Sequence, residues 1–225
     1  MVIKAFLFDL DGVIVDTAIF HYQAWRRMAN ELGFDISEEF NEQLKGVSRV
    51  ESLEIILQHG GLTLPEERKA ELAAQKNQWY LDLVSRMTPN DILPGVPAFF
   101  SQVRDAGIKT ALGSVSKNAR LILDRIGMSD AFGTVIDGNK ITRGKPDPEV
   151  FLKGADELGV SPADCVVFED AVAGIDAAKR ADMIAVGIGS PDVLTQADIV
   201  VPSLEHLTVP QLLKSLDRTA GLDVY

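Results

Sequence analysis

The hydrophobic pattern alternates between short, continuous apolar runs and longer amphipathic segments. Continuous apolar runs are typical of strands that are covered on both faces, as in a parallel sheet. Helical patterns separate these runs, which predicts right-handed crossovers and an α/β fold with a doubly wound, Rossmann-like parallel sheet. The predicted strands are Ala5–Phe8, Lys109–Leu112, Cys165–Phe168, Ile184–Ile188 and, more weakly, Asp198–Val201. The predicted helices between and after them are Val96–Ala106, Asn118–Ile126, Pro148–Leu158, Val172–Arg180 and Val209–Leu216.

This rhythm is interrupted after the first strand. The next segment has the pattern of consecutive amphipathic helices, over Phe20–Leu32, Ser37–Leu44, Arg49–Gln58 and Pro65–Arg86. The pattern predicts an all-helical insertion at the loop that follows the first strand. We therefore expect an α/β catalytic core of residues 1–16 and 89–225 and an inserted helical cap of residues 17–88. Because ligands bind at the carboxyl ends of the strands in such sheets, this cap would cover the site.

Composition excludes several classes of protein. The chain has 225 residues, of which 46% are hydrophobic and 24% are charged, as in an ordinary globular protein. Its net charge of −11 opposes the phosphates of nucleic acids and anionic membranes, so neither is an expected partner. Its apolar stretches are shorter than the roughly 20 residues of a membrane-spanning helix. The N-terminal segment lacks the pattern of a signal peptide, from which we expect a cytoplasmic protein.

Acidic side chains follow two of the predicted strands. Asp9 and Asp11 leave the first strand two residues apart, a spacing that projects both carboxylates the same way. Glu169 and Asp170 follow the third strand. Oxygen ligands from separate strands are what Mg²⁺ needs. Taken singly, the first pair is also typical of a solvated acidic loop, and the second of charges that complement a helix dipole.

Two further strand ends carry groups that suit phosphate. Ser114, Ser116 and Lys117 lie at a strand-to-helix turn, where free backbone N–H groups favour an anion. Lys145 lies between Gly144 and a proline, in a rigid loop ahead of a helix. Alone, Ser116 is equally typical of a helix N-cap and Lys145 of a solvated charge. Together with the four acids, these residues favour phosphate chemistry.

Two similar motifs fail on their spacing. The segment 138–146 has one residue too many between its glycines for a P-loop, and it has proline where a P-loop needs serine or threonine. Gly187 and Gly189 lack the third glycine of a dinucleotide fingerprint. The sequence therefore supports neither an ATPase nor a dehydrogenase.

The four motifs, in this order and with a helical insertion after the first, resemble the haloacid dehalogenase-like phosphotransferase superfamily over the whole chain. The segment 8–17, FDLDGVIVDT, is similar to the subgroup with a small helical cap. Its second acid, Asp11, favours phosphoryl transfer over dehalogenation. The resemblance implies that Asp9 becomes an aspartyl phosphate and that Asp11 is the general acid and base. It implies that Ser114 and Lys145 hold the transferring phosphoryl group.

The same resemblance implies a Mg²⁺ cofactor. The Asp9 carboxylate, the Asp11 backbone carbonyl and Asp170 would bind the ion, with Glu169 close by.

Segments of the predicted cap resemble one particular family within this superfamily. The segments 17–25, 41–53 and 76–77 are similar to the β-phosphoglucomutase family. That resemblance implies interconversion of β-D-glucose 1-phosphate and D-glucose 6-phosphate, with β-glucose 1,6-bisphosphate as intermediate and activator. As an alternative, His21 and Trp25, four residues apart on a helix, could simply face the core.

The resemblance also assigns roles within and beside the cap. Arg49 and the 116–118 turn would hold the distal phosphate, and Lys45, His21 and Lys76 would close the cap and place Asp11. Thr17 and His21 join the expected catalytic group. The expected substrate-binding residues are Trp25, Lys45, Gly46, Val47, Arg49, Ser52, Lys76, Val115, Ser116, Lys117 and Asn118.

Two other functions compete with this interpretation. One is hydrolysis of a sugar phosphate or short-chain phosphate by a Mg²⁺-dependent phosphatase of the same fold. The other is a noncatalytic protein that binds metal or phosphate and regulates a partner, which the intact set of Asp9, Asp11, Ser114, Lys145 and Asp170 argues against. We expect sugar phosphates as the partners of a monomeric protein, and the sequence indicates no protein partner.

Overall fold

The computed structural model describes residues 2–44 and 47–219, without the side chains of residues 218 and 219. Within these residues, six parallel strands form one sheet in the order β3-β2-β1-β4-β5-β6. This arrangement confirms the predicted α/β class and the doubly wound sheet. The strands are β1 (Ala5–Phe8), β2 (Lys109–Gly113), β3 (Thr134–Ile136), β4 (Cys165–Glu169), β5 (Ile184–Ile188) and β6 (Ile199–Val201).

The sheet buries both of its faces under helices. Phe6 and Phe8 of β1 point to one face, where they pack in an aromatic cluster with Phe99 and Phe168. Leu7 points to the other face and packs in a second cluster. The first face is covered by α5 (Val96–Asp105), α6 (Ala119–Arg125) and α9 (Val209–Thr219), and the second by α7 (Glu149–Leu158) and α8 (Val172–Arg180).

The register of the central strands decides where the functional residues lie. Phe8, the last residue of β1, pairs with Leu112 of β2 and with Phe168 of β4. Asp9 and Glu169, which follow the paired phenylalanines, therefore leave the sheet side by side. The sequence order alone does not show this adjacency, because it depends on β1 lying between β2 and β4.

The segment between β1 and α5 is helical, as the sequence predicts. It contains α1 (Ala18–Glu31), α2 (Glu38–Asn41), α3 (Arg49–His59) and α4 (Glu66–Val84). Side chains from α1, α3 and α4 form a hydrophobic cluster of their own, with Met28, Ile56 and Leu72 at its centre. The C-terminal end of α4 joins the core of the sheet instead, through Tyr80 and Val84. A division into domains at residues 16 and 88 stays a prediction.

Some element boundaries differ from the prediction. Strand β3 was not predicted, because its three residues include only two apolar ones, Val135 and Ile136, after the polar Thr134. The weak candidate at Asp198–Val201 is confirmed as β6. The predicted helix Ser37–Leu44 is shorter, since Ser37 is the N-cap of α2 and a 3₁₀ turn over Glu42–Leu44 replaces its last part. Among the described residues, no helix has the length and apolar character that crossing a membrane requires.

Candidate active site

Three carboxylates form a cluster at the carboxyl ends of β1 and β4. One oxygen from each of Asp9, Glu169 and Asp170 lies within 4.8 Å of the others. Asp9 and Glu169 are buried, with 8% and 1% of their surface exposed. Like charges at this separation need a nearby cation or a shared proton, so the cluster is a candidate cation site.

Two glycines leave space for this cluster. Gly12 follows β1 with φ of 78°, and a Cβ atom there would overlap the Asp170 carboxylate. A Cβ atom at Gly174, in the first turn of α8, would overlap the Glu169 carboxylate. The Asp170 and Glu169 carboxylates therefore occupy space that a side chain at Gly12 or Gly174 would fill.

Lys145 supplies positive charge to two of the carboxylates. Its Nζ lies 2.6 Å from Asp9 Oδ1 and also contacts Glu169 Oε1. Burial lowers the pKa of Lys145, but the Asp9 and Glu169 carboxylates raise it by more, so the pKa lies above its ordinary value. Burial raises the pKa of Glu169, and Lys145 opposes that rise. The Lys145 side chain is therefore a fixed cation beside Asp9.

The donor set of the cluster suits magnesium. Carboxylate oxygens are hard ligands, and Mg²⁺ is held in proteins by one or two carboxylates together with substrate phosphates. Asp9, Glu169 and Asp170 would supply such ligands. The Asp11 carboxylate does not belong to this group. The prediction that the Asp11 backbone carbonyl is a ligand stays a prediction.

Asp11 is held by the first residues of the cap segment. Its Oδ1 accepts hydrogen bonds from the backbone N–H of Thr17 at 3.3 Å and from the Thr17 hydroxyl. Burial raises the pKa of Asp11 to about 6, although the hydrogen bonds from Thr17 oppose this and the nearby Asp9 charge adds to it. A carboxyl group with this pKa can both give and take a proton near neutral pH.

The turn after β2 forms the next part of the site. Ser114 is buried, and its hydroxyl accepts a hydrogen bond from the Ser116 N–H at 3.1 Å. The Ser116 hydroxyl accepts one from the Asn118 N–H at 3.2 Å. Asn118, not Ser116, is the N-cap of α6. Of the other two residues predicted here, Val115 is half-buried and Lys117 is exposed.

A polar group from the cap faces Asp11. Lys76 of α4 is buried, with its Nζ 2.8 Å from Nδ1 of His21 and 4.3 Å from the centre of the Trp25 ring. Burial lowers the pKa of Lys76 well below its ordinary value, and Arg49 lowers it further while Asp11 raises it. Burial also lowers the pKa of His21, with added effects from Lys76 and Arg49. His21 and Trp25 therefore both contact Lys76, and Trp25 also packs in the hydrophobic cluster of the helical segment.

Arg49, the first residue of α3, is half-buried. Burial lowers its pKa. Within the described parts of the chain, its guanidinium has no hydrogen-bond or ion-pair partner. Near it on the chain, Ser52 is buried in the cap and Val47 is half-buried. Lys45 and Gly46, which the sequence also predicts for the substrate site, lie outside the described residues.

Sequence reasoning missed two contacts made by α4, the first of which joins the cap to the core. The Asn118 side chain donates a hydrogen bond to Asn77 Oδ1 at 3.0 Å. The Tyr80 hydroxyl lies 3.1 Å from Thr17 Oγ1. The only signal for Tyr80 is its place one helical turn after Lys76, which is equally typical of a core residue.

Comparison with known families agrees with this arrangement. The sequence profile of the haloacid dehalogenase-like hydrolases matches residues 3–182, which include both strand ends of the acidic cluster and the whole helical insertion. The chain belongs to the haloacid dehalogenase-like hydrolase family. The segment matched by this family thus contains the acidic cluster at the carboxyl ends of β1 and β4.

The chain is also similar to individual proteins, among them two β-phosphoglucomutases and a phosphatase. The chain is 45% identical to the β-phosphoglucomutase of Bacillus subtilis, over 93% of both chains. The crystal structure of the β-phosphoglucomutase of Clostridium difficile superposes with a TM-score of 0.93 at 44% identity, and the match covers 97% of this chain and 99% of that one. The chain is also 31% identical to a phosphorylated carbohydrates phosphatase of Thermotoga maritima, over 79% of this chain and 81% of the relative.

Proposed function

We propose that the protein is a β-phosphoglucomutase, which interconverts β-D-glucose 1-phosphate and D-glucose 6-phosphate. The proposal is supported by the similarity to β-phosphoglucomutases over nearly the whole chain. We further propose that β-glucose 1,6-bisphosphate is the intermediate and the activator. The partners of the protein are then sugar phosphates, and we propose that it acts as a cytoplasmic monomer.

Asp9 is the nucleophile in this proposal. Its carboxylate attacks the phosphoryl group and becomes an aspartyl phosphate, and a second sugar hydroxyl later takes the phosphoryl group back. Lys145, which already contacts Asp9, and the buried Ser114 hydroxyl stabilise the transferring group. Asp9, Asp170 and the Asp11 carbonyl would hold Mg²⁺, with Glu169 beside them, and the ion would supply positive charge against the developing charge on the phosphoryl oxygens.

Asp11 moves the proton of the sugar hydroxyl. It donates a proton when the sugar oxygen leaves phosphorus, and it takes a proton when a sugar hydroxyl attacks the aspartyl phosphate. Thr17 holds the carboxylate in place through its backbone N–H and its hydroxyl. The pKa of about 6 suits both directions of proton transfer.

A mutase must also hold the phosphate that does not react. Arg49 and the 116–118 turn take this role, since a guanidinium binds phosphate through two parallel hydrogen bonds. Lys45, His21 and Lys76 close the cap over the sugar and place Asp11. The other cap residues proposed to bind substrate are Trp25, Gly46, Val47 and Ser52.

The observation that carries the proposal is the group of basic residues that the cap buries near Asp11. Burial lowers the pKa of both Lys76 and Arg49, and the nearby Arg49 charge lowers the pKa of Lys76 further, so an anionic sugar phosphate would offset this repulsion. Hydrolysis alone needs no such group, because the phosphate leaves after one transfer. The similarity to the Thermotoga maritima phosphatase keeps hydrolysis as the second candidate function.

Product analysis separates the two functions. The protein is incubated with β-D-glucose 1-phosphate, Mg²⁺ and a trace of β-glucose 1,6-bisphosphate, and phosphorus NMR follows the products. The proposal predicts D-glucose 6-phosphate with only a minor amount of inorganic phosphate. Inorganic phosphate in an amount equal to the substrate consumed would instead support the phosphatase.

A further inference from the structure

A chain of hydrogen bonds runs from the cap to Asp11, and it begins at Tyr80. The side chain of Tyr80 is completely buried. Its hydroxyl lies 3.1 Å from Thr17 Oγ1, and the Thr17 hydroxyl in turn contacts Asp11 Oδ1. The three groups belong to different parts of the chain, namely helix α4, the residue before α1 and the loop after β1.

The donor of each hydrogen bond between Tyr80, Thr17 and Asp11 follows from the number of hydrogen atoms available. While the Asp11 carboxylate is ionised, it can only accept, so the single hydrogen of the Thr17 hydroxyl is donated to it. Thr17 Oγ1 can then only accept from Tyr80, so the phenol is the donor. Burial raises the pKa of Tyr80, which keeps the phenol protonated. The phenol therefore orients the Thr17 hydroxyl, whose remaining direction for donation is toward Asp11.

The ring of Tyr80 is itself fixed by its neighbours. Its centre lies 4.1 Å from the centre of the His21 ring, and Lys76 Nζ lies 5.0 Å from it. A ring held in this way gives its hydroxyl a defined position. Because Tyr80 is on α4, a movement of the cap would move the group that orients Thr17.

We propose that Tyr80 is a positioning residue that sets the placement of the Asp11 carboxyl group through Thr17 and so couples the position of the cap to proton transfer. The inference rests on the proposed function insofar as Asp11 serves a sugar hydroxyl. Tyr80 contacts Asp11 only through Thr17.

Two phosphoryl donors separate this role from general support of the fold. Transfer between Asp9 and a sugar oxygen needs a well-placed acid, because a sugar alkoxide is a poor leaving group. Phosphorylation of Asp9 by acetyl phosphate needs none, because acetate leaves as a stable anion. A positioning role for Tyr80 therefore affects the first reaction and spares the second.

The test compares Tyr80→Phe with Tyr22→Phe. The Tyr22 phenol is also buried in the helical segment and donates to the Ile36 backbone carbonyl at 3.3 Å, so its loss removes a similar hydrogen bond without reaching Asp11. We expect Tyr80→Phe to lower kcat for isomerisation by about 10- to 100-fold, with a change in KM below about twofold. Acetyl phosphate should still phosphorylate Asp9 within about twofold of the wild-type rate. Tyr22→Phe should change neither reaction.

A second variant and a spectroscopic readout complete the test. Thr17→Val removes the relaying hydroxyl at almost constant shape, so the double variant Tyr80→Phe/Thr17→Val should be no slower than Thr17→Val. In Tyr80→Phe, the NMR signal of the Thr17 amide proton should move upfield as its bond to Asp11 weakens. Equal losses with both phosphoryl donors, or an unchanged kcat, would overturn the proposal.

The experiments also distinguish failure of the proposed function from failure of the proposed role of Tyr80. A wild-type protein that forms no D-glucose 6-phosphate would overturn the proposed function. The same variants would then be compared on release of phosphate from β-D-glucose 1-phosphate and from acetyl phosphate. A selective loss with the sugar phosphate would support the role of Tyr80, and equal losses would overturn it.

Discussion

Replacement of Arg49 by alanine tests the division of labour between the two phosphates. In the proposed reaction, Arg49 holds only the distal phosphate and touches no reacting atom. Acetyl phosphate has no second phosphate, so its transfer to Asp9 does not need Arg49. The variant should therefore lose isomerisation and keep phosphorylation by acetyl phosphate.

The structure sets the size of the effect. The Arg49 guanidinium is half-buried, and the described residues give it no hydrogen-bond or ion-pair partner, so its removal leaves none of them unpaired. We expect the free energy of unfolding to change by less than about 1 kcal/mol. The lost contact to phosphate is bidentate and charge-assisted and contributes about 2 to 3 kcal/mol, which corresponds to roughly a 30- to 150-fold loss of isomerisation.

The Arg49→Ala variant should also change the pKa values of neighbouring side chains. Arg49 lowers the pKa of both Lys76 and His21, so its removal should raise both pKa values. NMR of the His21 ring as a function of pH would detect this change. Arg49→Lys should restore only part of the isomerisation, because an ammonium group cannot form the planar, two-pronged contact.

The assay measures kcat/KM for isomerisation and the rate of Asp9 phosphorylation by acetyl phosphate, for wild type, Arg49→Ala and Arg49→Lys. Equal losses in the two reactions would refute the reasoning. They would mean that Arg49 supports only the fold of the cap, and hydrolysis would then become the better interpretation of the site.

Further changes test other parts of the site and of the fold. Asp9→Asn should abolish turnover of every phosphorylated substrate while the circular dichroism spectrum stays unchanged, and one-tenth of wild-type activity would contradict a covalent role. Exhaustive chelation should remove activity and added Mg²⁺ should restore it, whereas full activity after chelation would remove the metal assignment. Asp11→Asn should slow isomerisation by about 10² to 10⁴ with little change in Mg²⁺ affinity measured by calorimetry, and the opposite result would make its carboxylate a ligand. Hydrogen bonds from Lys153, then from the 142–143 backbone, lower the pKa of Glu149 to about 2, so its carboxylate stabilises the fold at neutral pH and loses this effect as the pH falls through that value. Glu149→Gln should therefore lower the Tm at pH of about 7, with a difference that shrinks from pH of about 5 to about 3, and a constant difference would contradict this.

Much of the fold follows from the sequence, because continuous apolar strands and amphipathic helices have distinct periods. Strand β3 does not, since Thr134–Ile136 has only two consecutive apolar residues, whereas the equally short β6 has three. The shortening of α2 depends on the position of its N-cap residue and on how the chain packs after the helix ends. The C-terminal part of α4 looks like any apolar helix face in the sequence, whereas the fold gives Tyr80 a place in the core of the sheet and a contact to Thr17.

The candidate site is partly predictable for a similar reason. Acids at strand ends imply a shared edge of the sheet, but it is the pairing of β1 with β4 in the structure that brings Asp9 beside Glu169 and Asp170. The contact of Lys145 with both Asp9 and Glu169 needs the order of the strands and the path of the loop before α7. The contact between Asn77 and Asn118 needs the orientation of the cap on the core, which no local pattern contains.

The central claim is that the phosphoryl group passes through Asp9 and returns to sugar. Its most direct test follows radiolabelled phosphorus from β-glucose 1,6-bisphosphate, in the wild-type protein and in Asp9→Asn, with β-D-glucose 1-phosphate and Mg²⁺ present. The account predicts that the label appears first on the wild-type protein at Asp9 and then in D-glucose 6-phosphate, and that Asp9→Asn carries none. Label that collects only as inorganic phosphate, or that attaches equally to Asp9→Asn, would contradict it.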